Sequence, residues 1–510
     1  MMNRTMLTIC GYAAALAPIA ASAQDAPARQ PRSLDLSGRV ITVTSPLVLD
    51  AREIDQIATP LRFDPANFEA IDRAQRVNIA DFPLDRTTRI DLELENFSVM
   101  APNAVTVRGN RQTGGTPIDP APIATLRGSV AGIPDSKVFL AISPLMSNGI
   151  IEIEGTTHII SNGSFERQTG ITVYNLTDLP EGTISWLDYA CTLVDIPNSE
   201  SFVSRGDPAG PEFPCRIADV AIEADNELSE IFSQDPMVAE AATMNYIETL
   251  VGAVGEIYTD QFGMRLRVAY SRIWPDQNEP DIWNSQTTSD ALSEMNAIWT
   301  AFDAPFGGTW HNAHLLSGRP LGGGIAFLGA VCFLDFSQAV SANLNGFFPS
   351  PVEPNLPQNW DLVVTAHEWG HNFGAPHTHG VFPPIDQCGF GNCAQAPSGT
   401  IMSYCHLCPG GLENINLVFG SRILDEAILP FVTLQMPCDL IVLNENECAG
   451  LSNECPADVN QDGQLTPADF TAWIVAYNAS DLRADLNGNG TLEPADFSAW
   501  IASWVAGCNN

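Results

Sequence analysis

The stretch His367-Glu368-Trp369-Gly370-His371-Asn372-Phe373-Gly374-Ala375-Pro376-His377 decides how this chain is read. It follows Asp361-Leu362-Val363-Val364-Thr365-Ala366, an apolar run of helical length, so His367 and His371 fall one turn apart on one helix face. Two imidazoles can then reach one metal ion. Gly374 can take the left-handed conformation that ends a helix, which turns the chain back and brings His377 to the metal as a third ligand. Three neutral nitrogens leave the fourth position of a zinc ion open for water, which the metal acidifies towards neutrality. Glu368, beside the first ligand, is placed to take that water's proton and pass it to a leaving amine. A bare His-Glu-x-x-His arises by chance in helices with incidental histidines, whereas five defined positions within eleven residues point to a site.

Working outward, the segment upstream alternates strands and helices. Ile217–Ile222 reads as a strand, about 239–261 as a long helix, 265–270 as a strand and 323–328 as a glycine-led apolar run, so an α/β unit begins near Cys215 and ends near Cys438.

These residues resemble the reprolysin (adamalysin-like) metzincin metallopeptidases, and are most similar to their bacterial secreted members. The His-Asn-Phe-Gly spacing matches. Residues 313–318 followed by 324–332 are similar to the family's third strand and substrate-binding edge strand, which implies Gly324, Ile325, Ala326 and Phe327 as substrate-binding residues. Gly399-Thr400-Ile401-Met402-Ser403-Tyr404 resembles the methionine turn, with Met402 the structural residue beneath the zinc ligands. The resemblance covers about 215–438 and implies an α/β (α+β) catalytic domain with a mixed sheet and an active-site helix, one catalytic zinc, and protein or peptide substrates. Two departures stand out. Adamalysins follow the third histidine with aspartate, whereas Thr378 follows here, so that aspartate's structural role must be met otherwise; His379 and His311 are spare histidines with a surface or structural character. Tyr404, two residues past Met402, resembles the astacin and serralysin branches, where a tyrosine lies near the zinc. Two readings of it stand: a donor to the tetrahedral oxyanion, or a buried tyrosine of the turn.

From Leu34 to about Asp195 the sequence runs in short alternating β-type segments punctuated by turn residues, and His158 there reads as a strand residue. This region resembles the family's propeptide, most clearly over 123–130. A polar Gly/Pro-rich stretch from Ser199 to Pro214 reads as a linker, with Arg205 as an exposed site for proteolysis. The N-terminus, with Arg4, the apolar run 6–20 broken at Pro18, and the small triplet Ala21-Ser22-Ala23, reads as a secretory signal peptide and not as a membrane span. The chain is therefore expected outside the cell, free or tethered at its surface.

Among 510 residues, 60 are Asp or Glu against 23 Lys or Arg, and Lys137 is the one lysine; the net charge of -37 repels phosphate backbones and anionic membranes, which excludes nucleic acid as a partner class. Twelve cysteines in an exported chain predict disulfides, and Cys405 and Cys408 alone make a weak metal signal. Loss of the signal removes Cys10 and leaves 11. Ten of these, Cys215 to Cys508, can pair completely, leaving Cys191 as the odd thiol of the propeptide. Cys191 is a candidate latency switch, since a thiolate can displace the catalytic water from zinc; a buried free thiol or a disulfide to Cys215 are the alternatives.

The tail repeats itself: 458–478 and 485–505 each carry Pro-Ala-Asp-Phe followed by Ala-Trp-Ile. Asp458, Asn460, Asp462 and Gln464, with Asp469 at position twelve, and Asp485, Asn487, Asn489 and Thr491, with Asp496 at position twelve, follow the EF-hand ligand rule, with glycine at position six. A helix follows each loop and none precedes it, which resembles a dockerin module and implies two calcium ions and a cohesin-like partner. Cys455 and Cys508 flank it as a candidate clasp.

The expected organisation is multidomain: signal peptide 1–23, β-rich propeptide 24–205, zinc-peptidase domain 206–440, linker 441–454, and a small all-α dockerin-like module 455–510. The rival class, a non-catalytic adhesion or scaffold protein with a metal-stabilised domain, would favour Ala or Gln at position 368, where this chain has Glu.

Overall fold

Alternation in the N-terminal region translates into strands with two buried faces. In the strand Ile133–Ile142, Val138, Leu140 and Ile142 enter one apolar core while Phe139 and Ala141 enter another, because successive side chains of a strand point to opposite sides. The computed structural model describes residues 35–51, 57–111, 114–180, 183, 191–195, 215–276, 278–301, 310–351, 361–438, 440–442, 457, 467–478, 484 and 494–506. The signal segment, the linker around Arg205 and the clasp cysteines Cys455 and Cys508 lie outside them.

The N-terminal strands are β1 Asp35–Thr44, β2 Leu47–Leu49, β3 Thr59–Phe63, β4 Ala74–Pro83, β5 Arg89–Asn96, β6 Met100–Arg108, β7 Thr116–Pro117, β8 Ala124–Val130, β9 Ile133–Ile142, β10 Ser147–Ile153, β11 Thr156–Ser161, β12 Thr172–Asn175 and β13 Thr192–Asp195, with one short helix, α1 Phe68–Arg73. All but β6, β7 and β13 form a 10-stranded sheet in the order β1-β4-β5-β8-β9-β10-β11-β12-β3-β2. His158 sits in β11 opposite Ile151, a strand residue as its apolar neighbours predict.

The α/β unit contributes β14 Arg216–Ala224, α2 Asn226–Phe232, α3 Pro236–Phe262, β15 Met264–Ile273, α4 Thr288–Ala301, β16 Asn312–Leu316, β17 Gly324–Leu328, β18 Gln338–Ser341 and α5 Asp361–Asn372. Its nine-stranded sheet runs β13-β17-β18-β16-β14-β15-β6-β7, and the short strand Ile441–Val442 pairs with the start of β14. Strands β14, β15, β16 and β18 are parallel and β17 is antiparallel to β18, which makes the sheet mixed. The N-terminal region therefore supplies strands to both ends of the second sheet, a pairing between distant segments that no local pattern announces.

Helix α3 begins where Asp235 accepts from the Met237 amide ahead of Pro236, and ends at Gly263, whose φ of 66° suits a left-handed cap. It is buried along most of its length because it packs against β15, α5 and the N-terminal strands β8, β9 and β10. Helix α5 is buried at every residue. In the tail, two helices, Pro467–Asn478 and Pro494–Ala506, carry the repeat, and Trp473, Ala476 and Trp500 share a small apolar cluster.

Candidate active site

Helix α5 is held from its first residue to its last. The Asp361 carboxylate accepts from the amides of Asn345 and Gly346 at 2.8 and 2.9 Å and from the Tyr246 hydroxyl of α3. At mid-helix Tyr258 donates to the Ala366 carbonyl at 2.7 Å, and about one turn before the end Trp369 Nε1 donates to Asn312 at 2.8 Å. The helix stops at Gly374, whose φ of 92° is the left-handed conformation expected of it. Gly370 is small for a further reason: a Cβ there would lie 2.8 Å from both Met402 Sδ and Phe419. The methionine turn thus presses directly on the helix between the two histidines.

The chain then returns and brings His377 in. Its Nε2 lies 3.1 Å from His371 Nε2 and 3.1 Å from His367 Nε2. Three nitrogens on a tetrahedral zinc at about 2.0–2.1 Å are separated by roughly 3.3 Å, so the spacing fits that ion. His367 Nδ1 faces the Ile401 carbonyl at 2.7 Å and His371 Nδ1 faces the Ala375 carbonyl at 2.6 Å, which places the ring protons outward and the lone pairs of Nε2 toward the centre. Burial lowers the pKa of all three rings, His371 to about 4, so they are neutral, as ligands must be.

Glu368 is fully buried, and neither carboxylate oxygen has a geometric hydrogen-bond partner among the described residues. Burial raises its pKa well above 4.5, with the neighbouring Cys191 thiol acting in the opposite sense. A carboxylate buried with only the Cys191 thiol beside it is costly unless a cation or water completes it, which is a second sign that a metal ion fits here. Gly324 of β17 packs on this side chain so closely that a Cβ would lie 2.3 Å from Glu368 Oε1.

Cys191 is a free, buried thiol, whereas Cys215 is disulfide-bonded, which removes the Cys191–Cys215 alternative. Its Sγ, a His367 nitrogen and a Glu368 oxygen lie within 4.8 Å of one another. Burial and then the Glu368 carboxylate hold the thiol's pKa well above 9. The following strand β13 pairs in parallel with β17, Thr192 opposite Ile325, Leu193 opposite Ala326 and Val194 opposite Phe327. Ile325, Ala326 and Phe327, three of the four residues expected to bind substrate, are therefore paired with the chain's own 192–194.

Tyr404 packs against His377 with ring centroids 4.7 Å apart, and burial, then the charges of Cys191 and Glu368, push its pKa up, so the hydroxyl stays a donor. Thr378 answers the missing aspartate: its amide and hydroxyl both donate to the Met402 carbonyl, at 3.1 and 3.3 Å, tying the third histidine to the methionine turn. His311 accepts from the Asp219 amide at 2.8 Å, away from the triad. His379 is closer than its sequence position suggests, stacked on His377 at 5.1 Å. Disulfides Cys388–Cys405 and Cys393–Cys408 clamp the loop after His377 to the methionine turn, and Cys332–Cys438 closes the unit, so Cys405 and Cys408 are not metal ligands. Of the calcium ligand set, Asp469 and Asp496 are described and fully buried, each at the start of its helix. Asp458, Asn460, Asp462, Gln464, Asp485, Asn487, Asn489 and Thr491 lie outside the described residues.

Residues 215–415 match the family model Reprolysin_5, described as metallo-peptidase family M12. No curated protein matches the chain. Among solved structures, the chain is similar to metalloproteinase-II from Bacteroides fragilis, at 12% identity and a TM-score of 0.36, over 70% of this chain and 90% of that one.

Proposed function

We propose that this metalloendopeptidase, with its M12 domain at 215–415, is an exported zinc enzyme made as a zymogen, in which Cys191 and β13 hold the site closed until the chain is cut near Arg205. The observation that carries the reading is the convergence of His367, His371 and His377 beside Glu368, with β17 alongside as a receptor for an extended segment. Those histidines would hold the zinc, which when bound supplies Lewis acidity to a water and to the scissile carbonyl. Strand β17 has β18 on one side, so once β13 leaves, its other side can take a substrate peptide by main-chain hydrogen bonding. Glu368 takes the proton of the attacking water and gives it to the departing amine. Tyr404, kept neutral by burial, donates to the oxygen where negative charge develops. In the uncut chain Cys191 stands among these groups and excludes water from them.

The tail is proposed as a calcium-binding, dockerin-like module that docks a cohesin-like partner. Phe470, Ile474, Val475 and Ile501 lie exposed on its two helices and supply an apolar face for that contact. Among the described residues no helix is long and apolar enough to cross a membrane.

The test is casein hydrolysis by the full chain before and after cleavage between 196 and 214. Activity that appears on cutting, vanishes with a chelator and returns with zinc is expected. Zinc-loaded, cut protein that leaves casein and a peptide library intact would overturn the reading.

A further inference from the structure

The N-terminal region touches the catalytic unit in two places of very different character. At the cleft, the contact among the described residues is made by Cys191 and the four-pair strand β13. At the far edge it is extensive. Strand β6 pairs in parallel with β15, Tyr270 opposite Val105 through Ile273 opposite Arg108, with Ser271 bonded to Thr106 at 2.9 Å. One face of the 10-stranded sheet is not a surface at all: its Phe139, Ala141, Ile159 and Tyr174, together with Val99 and Met100 at the start of β6, belong to one core with Tyr246, Leu250 and Val254 of α3. Gly252 of α3 lies so close to Phe139 and Val99 that a Cβ would meet both at 3.0 Å.

The same region clamps the segment that carries the active-site helix. Ser161 Oγ donates to the Phe348 carbonyl at 2.5 Å, Tyr174 donates to the Pro349 carbonyl at 2.7 Å, and Asn148 accepts from the Phe348 amide at 3.3 Å. Two residues earlier, the amides of Asn345 and Gly346 hold Asp361. Ion pairs Arg127–Glu256 at 3.2 Å and Lys137–Asp260 at 2.6 Å rim the contact. Were the N-terminal region to leave, the wholly buried Phe348 would lose its bonds to Ser161 and Asn148, and β15 would become an open sheet edge. Cys191 is the one cysteine between residues 24 and 205 and it is free, so no disulfide contributes to this association.

We infer that maturation does not shed the N-terminal region: after cleavage, 192–195 withdraws from β17 while the remainder stays as a permanent non-covalent subunit of the active enzyme, completing its sheet and bracing α5 through the 345–349 segment. This rests on the zymogen reading, and the two are separable by experiment. A recognition site for a sequence-specific viral protease replaces residues 202–208 in the full chain, and the cut product is followed by native size-exclusion chromatography, casein turnover and amide hydrogen exchange. Retention predicts that both fragments elute together at the mass of the uncut chain in low and high salt, separate in detergent gels without reductant, and leave the amides of 264–273 protected to within about tenfold of the uncut protein. Fragments that separate in native buffer, or β15 amides that open on cutting, overturn retention whatever the activity does. If the fragments stay together and casein turnover does not rise, latency by 191–195 fails and retention stands. A Phe139→Asp variant gives a further readout: cut, it releases its N-terminal fragment where the wild type does not, and unchanged co-elution of that variant shows that this core does not hold the subunit, which also overturns the inference.

Discussion

At the scale of single residues, the site consists of groups whose burial is tolerable only with a partner supplied. Glu368 is the clearest case. Its carboxylate has only the Cys191 thiol beside it among the described residues, while His367 and His371 are held by the Ile401 and Ala375 carbonyls without it. Glu368→Ala should therefore keep a zinc stoichiometry of one by metal analysis and lose casein turnover by about 10²–10⁴-fold, the usual contribution of a positioned base. Near-normal turnover would remove it from the mechanism. Tyr404 is separable in the same way: Tyr404→Phe keeps the ring packed on His377 and deletes the donor, so kcat should fall while KM stays within about twofold, and an unchanged kcat returns Tyr404 to a packing role. The sequence made the triad legible because a helical spacing and a chemically specific residue set coincide. Other residues left no such trace. Gly370 and Gly324 are bare glycines in the sequence, and only the approach of Met402 and of Glu368 shows why a Cβ is excluded. Thr378 reads as a departure from the family pattern until its two bonds to the Met402 carbonyl are seen.

At the scale of elements, α5 depends on a carboxylate that the sequence shows only as the first residue of an apolar run. Burial is the largest effect on Asp361 and raises its pKa to about 7, against four donors, Tyr246 and the amides of Asn345, Gly346 and Asp361 itself, that favour the charged form. A folded-state pKa above the unfolded value of about 3.9 means that the folded chain binds the extra proton. The stability Asp361 contributes is thus complete below pH 4 and lost as pH rises through 7. The variant Asp361→Asn, neutral at all pH, isolates this from metal binding: the stability difference between wild type and variant should move against the wild type by on the order of 1–4 kcal/mol between pH 5 and pH 8 in chemical denaturation. A difference that is flat with pH means that Asp361 stays charged when folded. Strand β13 is the other element with consequences. Cysteine parity in the sequence left Cys191 over, but parity says nothing of position; its place beside His367 and Glu368 follows from the pairing of β13 with β17 across more than 100 residues of chain. Cys191→Ser weakens a candidate metal donor without disturbing that strand, so the uncut variant should show casein turnover at least about tenfold above the uncut wild type. Equal latency in both would shift the inhibition to β13 alone.

At the scale of the whole molecule, the strand-rich and α/β regions that composition separates near residue 205 are interleaved, because β6, β7 and β13 complete a sheet whose other strands come from beyond 215. Local periodicity identifies such strands but cannot say which sheet they join, since register between distant segments is fixed by the core they share. The tail is tied together by its own symmetry. Trp473, on the first helix, donates to the carbonyl of Ala484, which immediately precedes the second proposed calcium loop; Trp500, on the second helix, donates to Ala457, which immediately precedes the first. Each helix thereby anchors the entry to the other repeat's loop. On the proposed reading, calcium drawn into one loop would fix the backbone on which the other helix's indole rests, so the two sites would fill together and gain helix as they do. Calorimetric titration of the full chain should therefore show two calcium ions whose heats are absent from an Asp458→Ala/Asp485→Ala variant, with a matching rise in helical circular dichroism. Trp473→Phe, which deletes only the bond to Ala484, should weaken the second site and lower the apparent cooperativity while leaving casein turnover of the cut enzyme unchanged. Identical calcium heats in the wild type and the double-alanine variant would mean that the repeated loops bind no calcium, and the tail would then be a pair of helices held by Trp473 and Trp500 alone.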